Sequence, residues 1–199
     1  MNITRRTVRA ARRRGLTVLT HRQWGAQHKA TYRQRRRDTS AGRWGQYVNR
    51  ADTVVQHITV TRRTGDFAAD ARTVEQIGYE RFGSGVSYNF LVDMVTGEVA
   101  VGQPLDSKGT HTINDKHLPG YSYDQNLVAR AIAVIGMPGD PLSTKAGVAI
   151  ARLLAAMIET GAITRTFDYR PHSAFTDKDC PCDATRSRMA VIRRAAAHL

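Results

Sequence analysis

The sequence has no long apolar run and only two cysteines, and each shortage removes a class of protein. No stretch approaches the roughly 18 apolar residues that a membrane-spanning helix needs. The segment GLTVLTH, which follows the basic N-terminus, is too short and too polar for a secretory signal, so we expect a protein without a signal peptide.

Cys180 and Cys182 lie too close together for ordinary disulfide geometry. A reducing compartment and a metal-binding or catalytic thiolate are expected instead.

Acidic residues are scarce in the first quarter of the chain. Residues 1–50 contain 14 Lys and Arg against a single acid, Asp38, whereas residues 51–199 contain 16 basic and 16 acidic residues. The whole formal charge of +13 therefore belongs to residues 1–50. It predicts an anionic partner, such as a wall polymer, an anionic lipid or nucleic acid, although a solvated tail explains the charge equally well. The neutral remainder and the lack of a known nucleic-acid-binding motif count against nucleic acid.

The length and the pattern of the chain predict one α/β domain. Its 199 residues are 41% hydrophobic, which is enough for a buried core. Strands are predicted at 53–60, 87–93, 98–102 and 128–136. Helices are predicted at 2–14, 68–82, 143–160 and 184–198, and a loop at 165–182. Because the second and third strands form a hairpin, we expect a central mixed β-sheet flanked by helices and not a purely parallel sheet.

Two histidines and a cysteine suggest a metal site. His57 lies inside an apolar strand, where a lone histidine is more often a packed core residue than a ligand. His172 and Cys180 lie eight positions apart in one predicted loop, between Pro171 and Pro181. Two imidazoles and one thiolate would leave the fourth tetrahedral position of Zn²⁺ open for water, as in catalytic zinc sites. No short metal motif such as HExxH is present, so the spacing alone does not settle the site.

Five segments resemble the type-2 N-acetylmuramoyl-L-alanine amidases, the family that includes peptidoglycan recognition proteins and phage endolysin amidases. In chain order they are HRQWGA (21–26), VVQHITVT (54–61), GVSYNFLVDMVTGEVAVG (85–102), KGTHTIND (108–115) and HSAFTDKDCPC (172–182). The segments follow the order of the family and span about residues 20–182. Five matches in the right order are more specific than any one of them.

The resemblance implies a role for each matching position. His57, His172 and Cys180 match the three zinc ligands of the family. Tyr88 matches a tyrosine that assists catalysis beside the metal-bound water. Lys178 matches a lysine that stabilises the oxyanion in phage enzymes.

Other positions fit less completely. His111 and Asn114 match a loop that borders the substrate groove, so we expect them to bind substrate. From the residues alone, His111 is also a candidate ligand in place of His172, although His172 shares a predicted loop with the cysteine. Cys182 stands where many relatives have glycine, which leaves a spare thiol, an alternative ligand or a packing residue as its role.

The resemblance implies zinc-dependent hydrolysis of the amide between N-acetylmuramic acid and L-alanine in bacterial peptidoglycan. The alternative is a recognition domain that binds peptidoglycan without cutting it, but such domains typically lose a metal ligand, most often the cysteine. Residues 1–16 lie outside the match, so we divide the chain into a basic N-terminal extension, 1–16, and a zinc amidase domain, 17–199.

The small size, the basic leader and the absent secretion signal resemble a phage endolysin. Such a protein is expected to be a monomer that collects in the host cytoplasm and acts on the wall after release. Its expected partners are peptidoglycan and, through the basic N-terminus, anionic envelope polymers; nucleic acid is not expected.

Overall fold

A mixed six-stranded sheet forms the centre of the computed structural model, which describes residues 2–29, 32, 50–112 and 125–199. The strands are β1 (Val18–Leu19), β2 (Ala51–Ile58), β3 (Phe90–Asp93), β4 (Val99–Val101), β5 (Ala129–Ile135) and β6 (Ile163–Pro171). Their spatial order is β1-β4-β3-β5-β2-β6. Only β3 and β4 pair antiparallel, as the hairpin predicts, and the other neighbouring pairs are parallel. The predicted α/β class is confirmed.

Helices cover both faces of the sheet. They are α1 (Ile3–Arg13), α2 (His21–Trp24), α3 (Phe67–Phe82), α4 (Gln125–Val128), α5 (Thr144–Glu159), α6 (Asp183–Arg186) and α7 (Met189–His198), with a 3-10 turn at His172–Ala174. The two longest begin at capping side chains, because Asp66 accepts two backbone N–H groups of α3 and Ser143 accepts one of α5. No helix in the described part of the chain is both long and apolar enough to cross a bilayer.

One face of the sheet, called here the closed face, carries a continuous apolar core. Helices α1, α5 and α7 cover it and pack on alternate strand residues such as Val54, Phe90 and Ile132. Large aliphatic side chains of α5, among them Leu153 and Leu154, are fully buried there. Burial of this kind stabilises a fold by about 1.5–3 kcal/mol for each large side chain.

The basic N-terminal helix is part of the closed-face core. Val8 is buried against it, and the Thr7 hydroxyl forms a 2.8 Å hydrogen bond with that of Thr160 at the end of α5. Arg13 and Arg14 both contact the carboxylate of Glu159. The helix is thus packed on the body of the protein, and the division of the chain at residue 16 stays a prediction.

The opposite face, called here the open face, is covered by α2 and α3. Trp24 of α2 donates its indole N–H to the carbonyl of Val101 at 2.9 Å, and Val74 of α3 packs with Leu91 of the sheet. Because side chains alternate along a strand, His57 shares this face and points away from the closed-face core.

Two predictions of local structure are wrong. The predicted loop at 165–182 begins with a strand, because β6 runs to Pro171 and pairs with β2 along its length. The predicted last helix, 184–198, is interrupted between α6 and α7, and Cys182 is the residue at the N-cap of α6 where Asp183 is predicted. Strand β6 lies at the edge of the sheet, so most of its charged side chains face outward and no apolar run marks it.

Candidate metal centre

Two neighbouring strands bring the three predicted ligands together. His57 lies in β2, and His172 directly follows β6, the strand that pairs with β2. The loop after β6 returns Cys180 to the same place. One ligand atom of each residue lies within 4.8 Å of the other two. Sγ of Cys180 is 4.0 Å from Nδ1 of His57, and the two histidine rings have centroids 4.3 Å apart.

The chemistry of this donor set suits Zn²⁺, which binds imidazole nitrogen and thiolate sulfur. Burial, followed by the neighbouring His172 and His111, holds the pKa of His57 well below its usual value, so its imidazole is neutral. Burial raises the pKa of the Cys180 thiol to about 11, although the N–H of Ile58 opposes the rise. A cation between these groups would favour the thiolate and would satisfy the imidazole lone pairs.

A groove of about 270 Å³ lies beside the three residues. It is lined by α3, by the residues that follow β2 and by the loop that holds Cys180. At Gly78 of α3, a Cβ would overlap the carbonyl oxygen of Gly85, in the turn that follows the helix. This close approach packs α3 against its own following turn, beside the groove.

Tyr88 and Lys178 both line the groove. The ring centroid of Tyr88 is 4.9 Å from that of His57. Burial, reinforced by Cys180, raises the pKa of the phenol, so Tyr88 keeps its proton and can donate a hydrogen bond. Lys178 is exposed, and its carbonyl accepts the N–H of Cys180 at 2.9 Å, which places the lysine in the turn that presents the sulfur.

His111 also lines the groove, but it contacts His57 more closely than its predicted role requires. It is buried, and its Nδ1 lies 3.3 Å from Nε2 of His57. Burial, followed by the nearby His172 and Arg130, lowers its pKa to about 3. The sequence carries no signal for this contact, because 54 residues separate the two histidines. Asn114 lies outside the described residues.

Cys182 lies apart from the cluster. It is buried in the closed-face core, and its Sγ is 4.0 Å from the hydroxyl of Thr185. Both cysteines are free thiols. Of the three roles open to Cys182, the structure supports packing.

Comparison with known proteins gives a family and a fold. The family model described as N-acetylmuramoyl-L-alanine amidase matches residues 47–183. Among solved structures, the peptidoglycan recognition protein PGRP-SA of Drosophila is 24% identical, with a TM-score of 0.64 over 84% of this chain and 86% of that chain. The N-acetylmuramoyl-L-alanine amidase LysC from Clostridium intestinale is 21% identical, with a TM-score of 0.57 over 76% and 91%. The endolysin amidase LysCS from the same organism is 18% identical, with a TM-score of 0.58 over 88% and 95%. A search of curated proteins gives no match.

Proposed function

The chain belongs to the N-acetylmuramoyl-L-alanine amidase family, and from that premise we propose that it hydrolyses the amide between N-acetylmuramic acid and L-alanine in bacterial peptidoglycan. One observation carries the proposal: His57, His172 and Cys180 form a single cluster beside a groove. A domain that only binds peptidoglycan has no use for a complete set of ligand side chains. The cysteine, whose loss is typical of binding-only relatives, is present.

The three clustered residues would hold Zn²⁺, which when bound supplies a Lewis acid and a water of lowered pKa. In the reaction, the oxygen of water joins the lactyl carbonyl carbon, the C–N bond breaks, and the freed amine of L-alanine takes up a proton. Lys178 would stabilise the negative charge on the carbonyl oxygen as the carbon becomes tetrahedral. The phenol of Tyr88 would hold or pass the proton beside His57. His111 and Asn114 would border the bound substrate.

Product analysis of digested peptidoglycan tests the proposal. We expect new free amino groups on L-alanine with intact sugar strands. The Cys180→Ser variant should lose cleavage by at least about 10²-fold, since it removes one of the three side chains that would hold Zn²⁺. The matched control is Cys182→Ser, which changes a buried thiol outside the cluster and should still cleave.

Two outcomes would contradict the proposal. New reducing ends would identify a glycosidase. Full cleavage by the Cys180→Ser variant would show that the ligand assignment is wrong.

We also propose that the protein works as a phage endolysin, a monomer that reaches the wall from the host cytoplasm. The family membership and the fold shared with an endolysin amidase support this role.

The basic N-terminal region would add affinity for anionic envelope polymers. In support, a cavity of about 640 Å³ beside α1 and α2 is lined by five basic side chains, Arg5, Arg9, Arg12, Arg22 and Lys29, and by no acid among the described residues.

A charge variant tests the polymer proposal better than a deletion does, because α1 contributes to the core. The double variant Arg5→Gln and Arg9→Gln changes two exposed side chains at the cavity. We expect it to pellet less with cell walls at low salt and to equal the wild type at high salt, where exposed charges are screened. Equal pelleting at low salt would count against the proposal.

A further inference from the structure

The two ring nitrogens of His57 face different partners. Nδ1 lies 4.0 Å from Sγ of Cys180, on the side of the ligand cluster. Nε2 lies 3.3 Å from Nδ1 of His111. The rings of His57 and His111 meet nearly edge to face, with an interplanar angle of 78° and centroids 5.2 Å apart.

A metal-facing Nδ1 on His57, together with these contacts, assigns the protons of both rings. A neutral imidazole carries one proton, so a metal-facing Nδ1 that offers its lone pair leaves the proton of His57 on Nε2. That N–H points to Nδ1 of His111, which then accepts it, and the hydroxyl of Thr112 lies 3.2 Å from the same nitrogen. His111 then carries its own proton on Nε2. Metal-binding histidines generally donate their second ring N–H to an acceptor that fixes the ring, and in this chain the acceptor is another imidazole.

The backbone around His111 is held firmly. The side-chain oxygen of Asn126 accepts the N–H of His111 at 2.7 Å and that of Thr112 at 3.0 Å, and its amide donates to the carbonyl of Thr112 at 2.6 Å. Gly109 closes the other side, since a Cβ there would lie 2.7 Å from Cδ2 of the His111 ring. The imidazole of His111 therefore has little freedom to turn away from His57.

We propose that His111 is a positioning residue, which accepts the Nε2–H of His57 and so fixes the tautomer and the ring orientation that direct Nδ1 of His57 toward the metal. The proposal rests on the zinc site of the proposed function and adds to the substrate-bordering role predicted for the same residue. It assigns His111 an effect on metal affinity that appears before any substrate binds.

Two amide variants separate positioning from packing. His111→Asn puts its side-chain oxygen near the place of Nδ1 and keeps an acceptor for His57. His111→Gln reaches instead toward the place of Nε2 and leaves the N–H of His57 without one. The measurement is zinc affinity, by competition with a chelating dye in the absence of peptidoglycan. We expect His111→Gln to weaken zinc binding by about 10–100-fold and His111→Asn to stay close to the wild type. Thermal melting of the metal-free variants is the control, and both should melt alike.

Several results would overturn the proposal. They are equal zinc affinity in all three proteins, equal losses in the two variants, or losses that follow the melting temperature of the metal-free form. Failure of the proposed function is distinguishable, because a wild type that binds zinc tightly and leaves peptidoglycan intact would refute amidase activity and leave the role of His111 standing.

Discussion

The closed face and the open face of the sheet are made by alternate residues of the same strands, yet they differ in composition. On β2, Val54 enters an apolar core under three helices, whereas His57 enters a cluster that also contains His111 and His172. All three histidines are buried, and buried polar groups cost free energy unless they find partners. The apolar burial on the closed face therefore stabilises a fold whose open face carries buried polar side chains.

The helical glycines on the two faces also differ in the space around them. Helix α3 on the open face meets backbone at Gly78, but at Gly147 of α5 a Cβ would meet only the tip of Ile192, at 4.0 Å. A methyl group therefore has room at Gly147 but not at Gly78.

The largest expected effect is at Lys178, and an exposed lysine on the other side of the molecule, Lys145, is its control. Lys178 lines the open-face groove, and Lys145 lies on α5. We expect Lys178→Gln to lower kcat by about 10²–10³-fold, because the variant loses the cation that stabilises the tetrahedral oxyanion. Lys145→Gln should cleave like the wild type. Initial rates on purified peptidoglycan provide the measurement.

Zinc affinity separates the oxyanion role of Lys178 from an indirect effect on the metal site. The Lys178→Gln variant should bind zinc as the wild type does, since Lys178 is not one of the three clustered residues. If the two lysine variants lose activity equally, or if the loss at Lys178 follows lost zinc, the oxyanion role is refuted.

A smaller effect, on the stability of the fold, is expected at the helical glycines Gly78 and Gly147. Gly78→Ala should destabilise the protein by about 1–3 kcal/mol, because the new methyl overlaps the carbonyl of Gly85 and forces α3 to shift. Gly147→Ala should instead stabilise it by up to about 1 kcal/mol, because alanine favours helix and space is available. Urea unfolding midpoints give both values. A neutral Gly78→Ala variant would mean that α3 is not fixed at that point.

Patterns within single segments predict much of the fold. The apolar runs of β2 and β5, the hairpin of β3 and β4 and the capped helices α3 and α5 lie within a few residues of their predicted bounds. Strand β6 escapes prediction because its order comes from pairing with β2, more than a hundred residues earlier, and not from an apolar run of its own. The burial of one side of α1 also escapes prediction, because its many arginines mask the few apolar positions.

The sequence predicts the site only through resemblance. His57, His172 and Cys180 have no short spacing between them, so order along the chain in five matching segments is what selects them. The orienting contact of His111 lies beyond that reasoning, because it depends on where a loop after β4 places one ring edge against another. The family resemblance assigns a role to each matching residue. It does not give the direction of a hydrogen bond, which follows from the positions of the two side chains.

Strand β6 is an outer strand with a single hydrogen-bonding neighbour, β2. Outer strands are among the first parts of a sheet to open in local unfolding, since one row of bonds holds them. Here the chain leaves β6 straight into His172 and then loops to Cys180, while His57 belongs to the neighbour. A cation shared by these side chains would join this edge strand to its neighbour, so metal occupancy and the stability of that edge of the sheet would be coupled.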